Sequence, residues 1–293
     1  MNSVKRKGDL KYLIFFLTPS LIFLFLFQIL PITYSLVLSF MQWNIRTPAV
    51  WIGLGNYANL FHDKEFWLSV WHTFQYILMY VPLVIIGGMI LALLVNKKIK
   101  FQNFFKVSFF IPVISSWVAV SLIWKGLLNP KYGFINQILS WFGIQGPAWL
   151  FDPKWAMTAI VFASVWKDVG FIMVILLGGL SNIPKHLYEA SVIDGATPWK
   201  QFWRITLPLL TPTLFFALMI TLINSFQIFD QVWIMTNGGP AGATSVIVER
   251  IYRNAFSYSK MGYAAAMSWI LFALIFGISF LQNRYQKKWV FYS

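Results

Sequence analysis

Cysteine is missing from all 293 residues, which excludes disulfides, thiolate metal sites and a cysteine nucleophile. Histidine is scarce: His62, His72 and His186 are scattered, and no two stand at metal-ligand spacing. Acidic residues number 9 against 23 Lys and Arg. Paired carboxylates for hydrolytic work are lacking, because Asp63 and Glu65 flank a short surface helix and point different ways. No GxxxxGK[ST] phosphate loop occurs, so the chain should not hydrolyse ATP and is not expected to be an enzyme. Charge of either sign is low, at 11% of residues, against about 25% in a soluble domain.

What is abundant is apolar: 58% of residues are hydrophobic and 19% aromatic. Crossing a bilayer takes about 20 consecutive apolar residues, and six runs of suitable character are present. They cover about 13–40, 75–95, 109–124, 155–177, 207–233 and 263–281. The fold class is an all-α membrane protein with six transmembrane helices, read as a single transmembrane domain over 1–293. Pro31 is expected to bend the first span. That run is long for a signal-peptide core and lacks a small-residue cleavage site, so a retained helix is expected.

The net charge of +14 does not point to nucleic acid, because the cations cluster in short loops. Lys5, Arg6, Lys7, Lys11, Lys97, Lys98, Lys100 and Lys106 fall on one side, with Lys185, Lys200, Arg204, Arg284, Lys287 and Lys288. Fewer fall on the other. The positive-inside rule then places both termini and the loop at 181–206 in the cytoplasm. On the outer side, Trp43, Trp51, Tyr57, Phe61, Trp67 and Trp71 read as interfacial aromatics, and 55–69 as a helix lying on the surface. Residues 126–154 read as an irregular cap, and Gly238-Gly239-Pro240 as the turn that stops the fifth helix.

The loop EASVIDGATPWKQFWRITLP at 189–208 is polar yet bracketed by apolar spans. Pro184 suits the first turn of one short helix, and Gly195 supplies a left-handed residue to end it. Thr197 then caps a second helix that begins at Pro198. A rigid helix–turn–helix and an ordinary interhelical loop both fit this pattern.

Glu189-Ala190-Ser191, Asp194-Gly195-Ala196, Phe202, Ile205 and Leu207-Pro208 resemble the EAA loop of permeases of ATP-binding-cassette (ABC) importers. Ser191 stands where that pattern has a second alanine. Trp51-Ile52-Gly53-Leu54-Gly55-Asn56-Tyr57, Phe110-Ile111-Pro112 and Thr236-Asn237-Gly238-Gly239-Pro240 are similar to carbohydrate permeases of the maltose-permease kind. His72 stands where such permeases commonly have asparagine.

The resemblance implies the type I importer permease fold, a second homologous permease and an ATPase dimer whose subunits receive the coupling helices. It also implies an extracytoplasmic solute-binding protein, a carbohydrate solute and the cytoplasmic membrane of a bacterium or archaeon as location. ATP and magnesium would be bound by the ATPase subunits, leaving this chain no cofactor of its own. The implied coupling residues are Glu189, Ala190, Asp194, Gly195, Ala196, Phe202, Leu207 and Pro208. The implied solute contacts are Trp166, Phe171, Thr221, Asn224, Ser225 and Ile228. Thr221, Asn224, Ser225 and Ile228 fall at offsets of three, four and seven, on one face of a helix.

Lys167, Asp168 and Asp230 lie at membrane depth, where ionisable groups need a cavity or a partner. They raise the alternative of a proton-coupled secondary transporter. Against it, adjacent helical residues such as Lys167 and Asp168 do not face one another. Lys167 is expected to pair with Asp230 or a partner subunit, with an anionic sugar or phosphate ester left open. A membrane-embedded glycosyltransferase would need acidic loop clusters that the sequence lacks.

Overall fold

The computed structural model of the chain describes residues 5–97 and 100–291; Lys98 of the cytoplasmic charge cluster lies outside them, as do the first four and last two residues. The helices, in chain order, are α1 (Lys5–Leu24), α2 (Leu30–Ser39), α3 (Gly55–His62), α4 (Lys64–Asn96), α5 (Gln102–Ile114), α6 (Trp117–Leu127) and α7 (Phe134–Trp141). They continue with α8 (Pro153–Ser181), α9 (Lys185–Ile193), α10 (Pro198–Gln201), α11 (Leu207–Phe226), α12 (Asp230–Met235), α13 (Ile247–Tyr252) and α14 (Met261–Tyr285). Among the described residues, five helical stretches are long and apolar enough to cross a membrane, and α5 with α6 supplies a sixth as one broken span.

Several boundaries differ from the sequence expectation. The outer helix at 55–69 stops at His62, and Lys64 already begins α4, which runs 33 residues. The third span bends by 99° between α5 and α6. Ser115 is extended there, and the Ser116 hydroxyl caps α6 by accepting from the Val118 N–H at 3.3 Å. The fifth span is not one helix to 233: α11 ends at Phe226 and α12 starts at Asp230. The turn at Gly238-Gly239-Pro240 therefore follows a helix already interrupted. The cap at 126–154 contains an ordered helix, α7. At Pro31 the accommodation is a widened π turn over Phe25–Ile29. A proline ring crowds the carbonyl four residues back and donates no N–H, so the turn before it expands. The same device recurs over Phe202–Thr206 ahead of Pro208.

The described residues fall into two compact units. One comprises the chain up to Asp63 with Ile251–Ile270. In it, none of the most apolar window of Tyr12–Ser39 is buried. Two-residue strands pair antiparallel, with Met41 opposite Trp51. The Asn56 amide donates to the Ser39 and Met41 carbonyls, both at 2.9 Å. The start of α14 closes just past the first strand: the Met261 N–H donates to the Trp43 carbonyl at 2.9 Å. A Cβ at Gly262 would sit 1.8 Å from the Met41 oxygen, so only glycine fits. Asp63 accepts the Tyr263 hydroxyl at 2.7 Å, a structural use for that carboxylate.

The other unit comprises Lys64–Arg250 and Leu271 onward. Its centre is α8, packed against α4, α5 and α11. Small residues let these backbones approach, as helices in lipid require. Gly88 meets Ile172, and Gly179 meets Leu210 and Thr213. The tightest approach is at Gly170, where a Cβ would lie 1.9 Å from the Phe109 carbonyl oxygen. Gly170→Ala should therefore destabilise the assembled protein by at least ~1–3 kcal/mol, the usual cost of overpacking. Gly178→Ala, on the same helix with nothing within 4 Å, should not. Thermal unfolding of the purified complex separates the two; equal midpoints would mean that α5 does not pack on α8 as described.

At the outer end of α4, His72 Nδ1 lies 3.1 Å from the Ser245 carbonyl, and the Thr73 hydroxyl accepts from the Ile247 N–H at 3.0 Å. The histidine that departs from the family pattern thus makes a hydrogen-bonded tie to the segment before α13. Nearby, Arg250 forms an ion pair with Glu65.

Candidate functional site

Two features of the Lys64–Arg250 unit carry functional residues: an exposed loop and a polar cavity. The loop opens with α9, whose N-cap is Pro184, one position earlier than the first-turn placement expected. Its C-terminus is a Schellman motif. The Ala196 N–H bonds to the Ser191 carbonyl at 2.8 Å and the Gly195 N–H to the Val192 carbonyl at 3.0 Å. Gly195 sits between them at φ +70°, the left-handed conformation that glycine adopts without strain. Thr197 caps α10 by accepting from the Lys200 N–H at 3.4 Å, and Pro198 is the first helical residue.

Side chains brace this helix pair. The Gln201 amide donates to the Ser191 hydroxyl at 3.0 Å, and Tyr188 and Thr206 hydroxyls bond at 2.9 Å. Ser191 is thus more than a small replacement for alanine, since it links the two helices. Sequence reading missed Tyr188, Gln201 and Thr206, whose partners lie 10 and 18 residues away. Glu189, Ala190 and Asp194 are exposed, while Ala196, Phe202, Leu207 and Pro208 are partly buried at the base. Ile193, at the tip, is 87% exposed. Exposed apolar residues on a braced helix are the kind of surface that docking elements present.

The cavity, of about 300 Å³, is lined by residues from α4, α6, α8, α11 and the break between α11 and α12. It brings together Phe171, Thr221, Asn224, Ser225 and Ile228, five of the six expected solute contacts. The sixth, Trp166, is outside the lining; it is 47% exposed and packs edge-on against Trp124 with ring centroids 5.7 Å apart. Asp168, Phe171 and Ile172 share a face of α8, and Tyr76 and Tyr80 stack one turn apart on α4 at 5.1 Å. Residues 227–231, at the helix break, complete the wall with Gln227, Asp230 and Gln231. Sequence reading did not include Tyr76, Tyr80, Trp117 or Gln231 in the site, and nothing local marked them.

The ionisable groups at depth are arranged differently from the expectation. Lys167 pairs with its neighbour Asp168 at 3.8 Å, not with Asp230. The long lysine stem folds back and overcomes the angular separation of adjacent helical positions. Its ammonium also donates to the Val113 carbonyl at 3.0 Å and lies 4.7 Å from the centre of the Trp117 ring. Val113 and Trp117 flank the bend of the third span, so Lys167 fills the gap between its two halves. A cation at the C-terminal end of α5 is also favoured by the helix dipole. Asp168 accepts the Tyr80 hydroxyl at 2.8 Å.

Comparison with known proteins gives the family and fold. Residues 49–290 match the family described as binding-protein-dependent transport system inner membrane component. The chain is 35% identical over 271 residues to the trehalose/maltose transport system permease protein MalF of Thermococcus litoralis, covering 92% of this chain and 91% of that one. It is 33% identical over 287 residues to the lactose transport system permease protein LacF of Rhizobium radiobacter, covering 96% and 95%. A crystal structure of a bacterial ABC transporter that imports the acidic polysaccharide alginate superposes with a TM-score of 0.84 at 25% identity, covering 97% of each chain. Nothing in these matches supports the proton-coupled alternative. The chain belongs to the family of binding-protein-dependent transport system inner membrane components, the permease subunits of ABC importers.

Proposed function

We propose that this permease subunit carries a sugar through the cavity between α4, α8 and α11, and takes its energy through α9. One observation carries the reading: residues far apart in sequence, Phe171 on α8 and Thr221, Asn224 and Ser225 on α11, converge on one polar cavity with aromatic walls. Sugars bind where aromatic faces meet their C–H surfaces and a few polar groups meet their hydroxyls. The relatives named for trehalose, maltose and lactose transport support a carbohydrate solute. The cavity residues carry the reading without Trp166.

A second, homologous permease completes the pathway, and an ATPase dimer receives α9 of each permease. An external binding protein delivers the solute. ATP and magnesium are held by the ATPase subunits. Closure of the ATPases draws the coupling helices together, and the permeases rock from inward-open to outward-open.

The test is uptake of a panel of mono- and oligosaccharides into proteoliposomes holding both permeases and the ATPases, with the binding protein added outside. At least one sugar should accumulate, only with internal ATP and only with binding protein. Accumulation driven by a proton gradient without the ATPases would contradict the proposal.

A further inference from the structure

The wall chemistry of the cavity goes beyond a site for some sugar, and the inference rests on that reading. Its lining holds two carboxylates, Asp168 and Asp230, and no Lys, Arg or His. Lys167 is 5% exposed and outside the lining, held by Asp168, the Val113 carbonyl and the Trp117 ring, and Lys125 is also outside it, bonded to the Ile234 carbonyl at 3.3 Å. Asp230 has no ion-pair partner among the described residues.

Three hydroxyl protons in the wall are already committed. Thr221 donates to the Ala217 carbonyl at 2.7 Å, Ser225 to the Thr221 carbonyl at 2.6 Å, and Tyr80 to Asp168 at 2.8 Å. What these groups offer a solute is lone pairs, and a carboxylate offers only lone pairs. The donors left include the amides of Asn224 and Gln227, the Tyr76 hydroxyl and the Trp117 N–H. An acidic solute would meet like charge from two carboxylates, with no cation in the lining to offset it. A solute whose hydroxyl or ammonium groups donate would meet partners throughout.

We infer that the cavity selects against acidic solutes: it takes neutral sugars and amino sugars, and rejects uronates and phosphosugars. Asp230 sets this selectivity, with Asp168 partly offset by Lys167. The site thereby differs in solute charge from the alginate importer whose fold it shares.

The test needs no knowledge of the natural solute, because the chain lacks cysteine. Asn224→Cys and Gln227→Cys, at wall positions exposed to the cavity, are placed one at a time in the assembled complex with cysteine-free partners. Each is treated with neutral, cationic and anionic methanethiosulfonates of similar size, and rates are divided by those of a free thiol in the same buffer. The inference predicts that the cationic reagent outpaces the anionic one by about tenfold or more, the scale of field focusing in a charged cleft. Asp230→Asn should remove most of that preference. Reaction with the neutral reagent but equal cationic and anionic rates would overturn the inference and leave the sugar-cavity reading standing. No reaction with any reagent at either position would overturn both.

Discussion

Gly195→Asp is expected to abolish transport while leaving the protein in the membrane. The position ends α9 at φ +70°. A left-handed residue with a side chain is strained by ~1–2 kcal/mol, and aspartate tolerates that conformation better than most. No atom outside the loop's own neighbours lies within 4 Å of a Cβ built there. Within this chain the change should therefore cost a factor of about thirty at most, by the same strain figure. In the assembled importer the added carboxylate would stand on the surface that meets the ATPase, beside the exposed Ile193. A loss of uptake of ~100-fold or more, about 2.7 kcal/mol, reports that contact rather than the strain. Gly195→Asn, which has similar shape without charge, should fall between. Solute-stimulated ATP hydrolysis in proteoliposomes is the measurement, with insertion checked by membrane fractionation. Normal hydrolysis in Gly195→Asp would mean that α9 is not the coupling element.

Asn224→Trp is the second large effect. Asn224 lines the cavity from the last turn of α11 and is exposed to it, so an indole enters the open space instead of the helix packing. With a volume of about 300 Å³, the cavity is at the small end of ligand sites, and an indole takes a large share of it. Uptake should drop at least ~100-fold, while binding-protein-stimulated ATP hydrolysis survives in part, because the ATPase contact is untouched. Asn224→Ala removes only the amide and should raise the KM for uptake with little change in maximal rate. Equal uptake by Asn224→Trp and wild type would mean that the solute passes elsewhere.

The coupling loop was legible because its signals are local. Gly195, Thr197 and Pro198 each fix one backbone event, and the Schellman motif and the α10 cap fall at those residues. The apolar runs gave the spans for the same reason. The bend between α5 and α6 had partial signals in Pro112 and the adjacent serines Ser115 and Ser116, but a 16-residue apolar run hid them. The break after Phe226 has no glycine or proline to mark it. There Gln227 has φ −100° and Phe229 φ −145°, both negative, so the break needs no glycine that a sequence would show.

The cavity was half legible. Helical spacing put Thr221, Asn224 and Ser225 on one face, but it cannot say which other helix that face meets. Tyr80 bonds to Asp168 across 88 residues, and Lys167 to Val113 across 54. Such tertiary partners decided that Lys167 serves the bend and does not neutralise Asp230.

Energy input and solute passage at separate sites of one chain are tested by measuring ATP hydrolysis and sugar uptake in the same proteoliposomes. Gly195→Asp should lose both activities, whereas Asn224→Trp should lose uptake and keep stimulated hydrolysis. Loss of hydrolysis in Asn224→Trp together with normal import by Gly195→Asp would contradict that separation.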